Sequence, residues 1–180
     1  MEIGINLHAM VGLTDEAYIK TIAELGFTAT FCMPQPTERM EKLGKLCAAE
    51  NIRFDTLHAP FGHINDMWLD CDGGNAMLAE LKDCIDKCLV VGAPIAVVHL
   101  SSKMNPPTIT DIGRGRFEEL VAYARKKGVK IAFENQRKLF NLAWPLRPMG
   151  RRMALASAGT VATSIASRPA SSLCRCLATG

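Results

Sequence analysis

The sequence predicts an α/β fold: a partial (β/α)8 TIM barrel of about five βα units, followed by an irregular C-terminal tail. Three observations predict it. Short, near-continuous apolar runs alternate with longer stretches of helical spacing, the pattern of parallel strands covered by helices. Polar residues gather at the C-terminal ends of those runs, the rim where such barrels keep their chemistry. No G-x-G-x-x-G follows the first run, which argues against the other architecture that fits, an open doubly wound sheet. A full barrel takes roughly 250 residues, so the 180 present fall short by about three units.

The elements follow in order. The first strand is Glu2–Leu7, with His8 just past its end. Thr14 is the candidate N-cap of the first helix, with Asp15 and Glu16 in its first turn and Gly26 as its stop. The second strand is Thr28–Met33, and Pro36 opens a helix running toward Glu50. Phe54–His58 is the third strand. Its long loop holds Phe61, His63 and Trp68, and a helix over Gly74–Val91 stops at Gly92. Ile95–Leu100 is the fourth strand, and Asp111 is expected to cap a helix that ends at Gly128. Lys126 and Lys127 favour that helix's C-terminal dipole. Val129–Phe133 is the fifth strand, followed by Glu134, Asn135 and Gln136.

Composition narrows the class. With 48% hydrophobic and 22% charged residues, the chain suits one soluble globular domain that buries roughly two thirds of its unfolded surface. Disordered, collagen-like and disulfide-knot proteins are excluded. No window reaches the roughly 18 uninterrupted apolar residues of a membrane span. The start, MEIGINLHAM, lacks the basic and apolar regions of a signal peptide. Seven Cys without a CxxC spacing fit reduced thiols in the cytoplasm. The net charge of +3 misleads: residues 1–144 hold 16 basic and all 18 acidic residues, a balance of −2, and the other five basic residues are Arg in the tail. A phosphate-tracking surface needs basic residues clustered on a folded face, so no nucleic-acid partner is expected.

Residues 145–180 differ from the 1–144 partial-barrel domain. They contain no Asp, Glu, Asn, Gln, Lys, His or aromatic residue. A disordered or processed tail and an unusual small helix are two readings; translation in a shifted frame after about Trp144 is the favoured third. Joining the third base of each codon to the first two of the next, through Ala154–Ser164 and with the last base of the Met153 codon ahead of them, allows G-V-G-F-C-W-D-C-G-H-E. That is an apolar strand ending in a polar cluster, the sixth strand the pattern demands. As translated, strand five is expected to present an unpaired edge and the chain to be poorly stable alone.

Three strand ends carry candidate chemistry: T-L-H-A-P-F at His58, V-V-H-L-S-S at His99 and A-F-E-N-Q at Glu134. On a parallel barrel these would converge on one axial site. Imidazole and carboxylate suit Zn2+, Mn2+ or Fe2+, and a carboxylate at such a rim is also a candidate general base. A lone strand-end His is more often a hydrogen-bonded structural residue, and a lone Glu often pairs with an Arg. Three at equivalent positions reverse that balance. His8, Phe61 and Trp68 are candidate substrate contacts, the two aromatic residues as an apolar wall or as simple packing. His63 is not counted as a ligand. Cys84 and Cys88, four apart on a helix, read as buried apolar thiols rather than a metal pair. Cys174 and Cys176 carry no functional weight. Arg114 and Arg116 read as a solvated helix surface rather than a phosphate contact.

In H-A-P-F, V-V-H-L and F-E-N, residues 1–144 resemble the xylose-isomerase-like barrel superfamily of sugar-phosphate isomerases and epimerases, which also holds metal-dependent apurinic-site endonucleases. The shifted-frame W-D-C-G-H-E resembles that family's next metal-binding strand. The resemblance implies a divalent metal (Mn, Zn, Mg or Co) at the C-terminal rim and a Glu, here Glu134, that holds metal and moves a proton beside a carbonyl. In the endonuclease-like branch the two histidines, here His58 and His99, also bind metal. The later ligands of the family have no counterpart as translated. The implied function is a cytoplasmic, metal-dependent sugar or sugar-phosphate isomerase or epimerase. The alternatives are a phosphodiesterase acting at abasic DNA and an inactive barrel fragment. The implied partners are a small sugar and, in a homo-oligomer, further copies of the chain.

Overall fold

The computed structural model describes residues 2–8, 12–103 and 105–134, with the backbone of Ala154–Ala156. Its strands are β1 (Gly4–Asn6), β2 (Ala29–Cys32), β3 (Arg53–His58), β4 (Ile95–His99), β5 (Lys130–Glu134) and β6 (Ala154–Ala156). Between them lie α1 (Asp15–Glu24), α2 (Thr37–Ala49), a short 3-10 helix (Ile64–Trp68), α3 (Asp72–Val91) and α4 (Asp111–Lys127). Every neighbouring strand pair is parallel and the sheet order is β1-β2-β3-β4-β5-β6. A doubly wound sheet reverses its strand order partway. An order that never reverses is the winding of a (β/α)8 barrel, which decides between the two architectures the sequence leaves open.

Local chemistry sets the helix ends. The Thr14 hydroxyl accepts from the Ala17 amide at the start of α1. Gly92 and Gly128 close α3 and α4 in left-handed conformations, φ 72° and 76°, that favour glycine. The cap of α4 is Thr110 rather than the expected Asp111, because the Thr110 hydroxyl accepts from the Gly113 amide. The third helix begins at Asp72, two residues before the expected Gly74.

Two departures matter more. The edge of strand five, expected to be unpaired, is covered: β6 lies parallel on β5, with Ala132 opposite Ala154 and Glu134 opposite Ala156. Residues 145–153 and 157–180, with most of the shifted-frame segment, lie outside the described residues, as do Asn135, Gln136, Cys174 and Cys176. The second departure is in β3. Thr30 faces Phe54 but Phe31 faces Thr56, so Asp55 is an extra residue, a β-bulge.

The core lies between strands and helices. Ala96 and Val98 of β4, and Ile131 and Phe133 of β5, join Ile19, Leu43, Leu81, Ile85 and Leu120 of the helices. Alternate residues of the same strands point to the other face, where His99 and Glu134 stand. Among the described residues, no helix is long and apolar enough to cross a membrane.

Candidate metal centre

Strand register brings the three expected ligands together. His99 and Glu134 are direct partners across β4 and β5. His58 pairs with Val97, two residues before His99 and therefore on the same face. The bulge makes this phase work. In an unbroken strand Phe54, Thr56 and His58 would share one face; with Asp55 extruded, Phe54 and Leu57 both enter the helix-side core. Thr56 and His58 are left facing the site.

The ligand atoms of His58, His99 and Glu134 lie within 4.8 Å of one another. Both imidazoles direct Nε2 at the same carboxylate oxygen, Glu134 Oε2, at 3.3 Å from His58 and 3.0 Å from His99. The three side chains are largely buried, His99 the most. These two imidazole contacts, His58's first, hold the Glu134 carboxyl down to about 2 from its ordinary 4.5, against the opposing effect of burial.

One contact decides how the site is read. His58 Nδ1 lies 3.0 Å from the Ala59 carbonyl, which can only accept, so Nδ1 carries the proton. A neutral His58 then has a lone pair, not a proton, on Nε2. That lone pair faces an anionic oxygen 3.3 Å away. The arrangement is satisfied by a second proton on the ring or by a cation between the groups. A backbone carbonyl holding Nδ1–H is also how metal-binding histidines are commonly oriented. Two imidazole nitrogens and one carboxylate form a three-ligand set suited to Zn2+ or another borderline divalent ion, so these residues fit a metal.

Phe61 covers the cluster. Its ring stacks on His99, with centroids 4.5 Å apart and planes at 23°, and meets His58 edge-on at 5.5 Å. It is 38% exposed, so its other face is open. Trp68, expected to join that wall, points inward. It is 1% exposed, its indole N–H donates to the Leu100 carbonyl at 2.7 Å, and its ring packs on Phe117. His8 lies exposed past the end of β1 and accepts from the Asn6 amide at 2.9 Å. His63 is exposed and lies 3.6 Å from Asp66, apart from the three ligands. Cys84 and Cys88 are both buried, and the hydrogen bond with the Cys88 thiol, then burial, drive the Cys84 thiol far up, so it stays protonated.

Sequence reasoning missed two features. Asn65 in the 3-10 helix bridges to the loop after β4, donating to the Ser102 carbonyl at 2.9 Å and accepting from the Ser102 amide at 2.8 Å. Arg116, expected on a solvated surface, is 7% exposed. Gly113 of G-R-G-R was a signal for close packing on this helix, since a Cβ there would strike the Trp68 ring and helix interiors disfavour Gly without a spatial reason.

A family model described as a xylose isomerase-like TIM barrel matches residues 19–147. No curated protein sequence matches the chain. Solved structures resemble it at low identity. A xylose isomerase domain protein from Planctomyces limnophilus is 15% identical with a TM-score of 0.64, over 86% of this chain and 61% of that one. D-psicose 3-epimerase from Clostridium cellulolyticum H10, solved with D-tagatose, is 16% identical with a TM-score of 0.69, over 87% and 63%. A xylose isomerase-like TIM barrel protein from Mycobacterium smegmatis, in complex with magnesium, is 16% identical with a TM-score of 0.59, over 80% and 56%. The chain thus spans about three fifths of the length of these structures. At such identities the likeness speaks for the fold.

Proposed function

The chain belongs to the xylose isomerase-like TIM barrel family, and from that premise we propose that its site serves a metal-dependent isomerase or epimerase of a small sugar or sugar phosphate. The observation that carries this reading is the convergence of His58 and His99 on Glu134 Oε2 while His58 Nδ1–H is committed to Ala59. Epimerases and xylose isomerase-like proteins among the structural neighbours support the class. The magnesium complex among them supports metal use.

His58, His99 and Glu134 would hold the ion, whether Mn2+, Zn2+, Mg2+ or Co2+. A bound divalent cation supplies positive charge that polarises a substrate carbonyl and stabilises an enediolate. The chain's own residues do the rest. Glu134 is ionised at neutral pH, the state in which its carboxylate can take a proton from the carbon beside that carbonyl. Ala59 fixes the His58 ring, and Phe61 keeps bulk water off the imidazoles. The open face of Phe61, with His8 at the neighbouring rim, is the proposed substrate wall.

A second reading is favoured by one observation. Both histidines stand in the ligand set, as the resemblance implies for the endonuclease-like branch, which would make the substrate an abasic-site phosphodiester. The charge balance of −2 over residues 1–144 opposes it. The test pairs two assays on the full chain with each metal. Metal-dependent interconversion of ketoses or their phosphates, lost in Glu134→Gln, supports the proposal. Nicking of abasic DNA without sugar interconversion overturns it. Failure of both leaves the inactive-fragment reading.

A further inference from the structure

We propose that Arg116 is a positioning residue for this centre: its guanidinium gathers the carbonyls of the loop after β3 and so holds the Phe61 ring against His99 and His58. The turn that leads into the 3-10 helix begins at Phe61, whose carbonyl accepts from the Ile64 amide. At the other end of that helix the carbonyls of Asp66, Leu69 and Cys71 accept from the amides of Leu69, Cys71 and Gly74. Arg116 adds a second donor to each of these from α4 and reaches the Met67 carbonyl as well. Nη1 donates to the carbonyls of Asp66 at 3.3 Å, Met67 at 3.1 Å and Leu69 at 2.6 Å. Nη2 donates to the Cys71 carbonyl at 3.2 Å, and Nη2 and Nε both reach Asn75 Oδ1, at 3.0 and 3.2 Å. One buried cation thus binds five oxygens spread over ten residues of loop and helix start. A buried charge persists only when so compensated.

The surroundings are shaped for this contact. A Cβ at Gly74 would collide with the Arg116 guanidinium, and one at Gly113 with the Trp68 ring. The Thr110 hydroxyl donates to the Trp68 carbonyl at 2.6 Å. Trp68 and Asn65 then tie the same helix to Leu100 and Ser102, just beyond His99. The loop that carries Phe61 is fastened at its far end to α4 and along its length to the β4 rim. A loop held only by its own bonds opens at little cost. Held this way, it keeps the aromatic ring in place before any ligand arrives.

The inference rests on the site reading above, but its test needs no metal. A stacked ring shields the protons of His99, so the NMR positions of the His99 ring protons report where Phe61 sits. Phe61→Ala gives the unshielded position. Arg116→Met is expected to shift the His99 signals toward that position and to speed amide exchange across residues 61–71. The double variant is expected to add no further His99 shift, since Arg116 acts through Phe61. Arg116→Lys keeps the charge but has three donors for five oxygens, so an intermediate shift is expected. It also carries the test should Arg116→Met not fold. Lys82→Met, at the surface pair with Glu119, is expected to leave the signals unchanged. His99 signals that stay in place in both Arg116 variants, while Phe61→Ala moves them, overturn the proposal. A failed metal titration alongside an intact Arg116–Phe61 coupling would remove the metal reading alone.

Discussion

At the residue scale, the protons of His58 and Glu134 govern the site. The His58 Nδ1–H is spent on Ala59, and the Glu134 carboxyl is held down to about 2. A carboxyl whose folded value lies below its unfolded one stabilises the fold above about 4.5, and that contribution is lost as the pH falls toward 2. Thermal melts of metal-free protein are expected to show the parent chain losing stability across this window relative to Glu134→Gln. Above the window the two curves should run parallel. A constant offset at every pH contradicts the assignment. The three candidate ligands were legible because each ends an apolar run, and strand ends of one parallel sheet share a rim. Trp68 was not legible, because an aromatic residue in a loop looks the same whether it faces ligand or core. Arg116 was hidden for a related reason: its five acceptors are mostly backbone carbonyls, which leave no mark in the sequence.

At the element scale, the packing of α4 against the loop after β3 makes a matched pair of predictions. A Cβ at Gly113 would strike the Trp68 ring, whereas one at Gly115 meets nothing within 4 Å. Gly113→Ala is expected to destabilise by about 1–3 kcal/mol, the usual penalty for overpacking. Gly115→Ala is expected to stabilise by up to about 1 kcal/mol through helix propensity. Urea unfolding of both variants checks the pair, and equal effects would contradict the packing described. The first five strands and four helices were readable from alternating apolar runs, Thr14, Gly26, Gly92 and Gly128. The shift of the α4 cap to Thr110 is a one-residue competition between two good capping side chains. The bulge at Asp55 was not readable: R-F-D-T-L-H alternates poorly in any register, and only pairing with β2 fixes which residue is extruded. Nor was β6, since A-L-A is too short and too alanine-rich to signal a strand.

At the scale of the whole molecule, an unreversed order of six parallel strands among the described residues gathers the candidate ligands His58, His99 and Glu134 onto one face. The coding DNA across residues 144–170 is expected, read one base out of frame, to spell G-V-G-F-C-W-D-C-G-H-E. Third bases that forbid that string contradict the displaced frame. The central claim is that two imidazoles and one carboxylate from three separate strands serve a common cation. Such a cation binds the folded chain better than the unfolded one and must stabilise it. At a hundredfold excess over Kd the gain is about 2.7 kcal/mol, or roughly 5–10 °C in Tm for a chain of this size. The direct measurement is the melting temperature of the full chain with and without Zn2+ or Mn2+, beside the His99→Ala/Glu134→Ala double variant. The account predicts a rise in the parent chain that the double variant lacks; no rise, or the same rise in both, would contradict it.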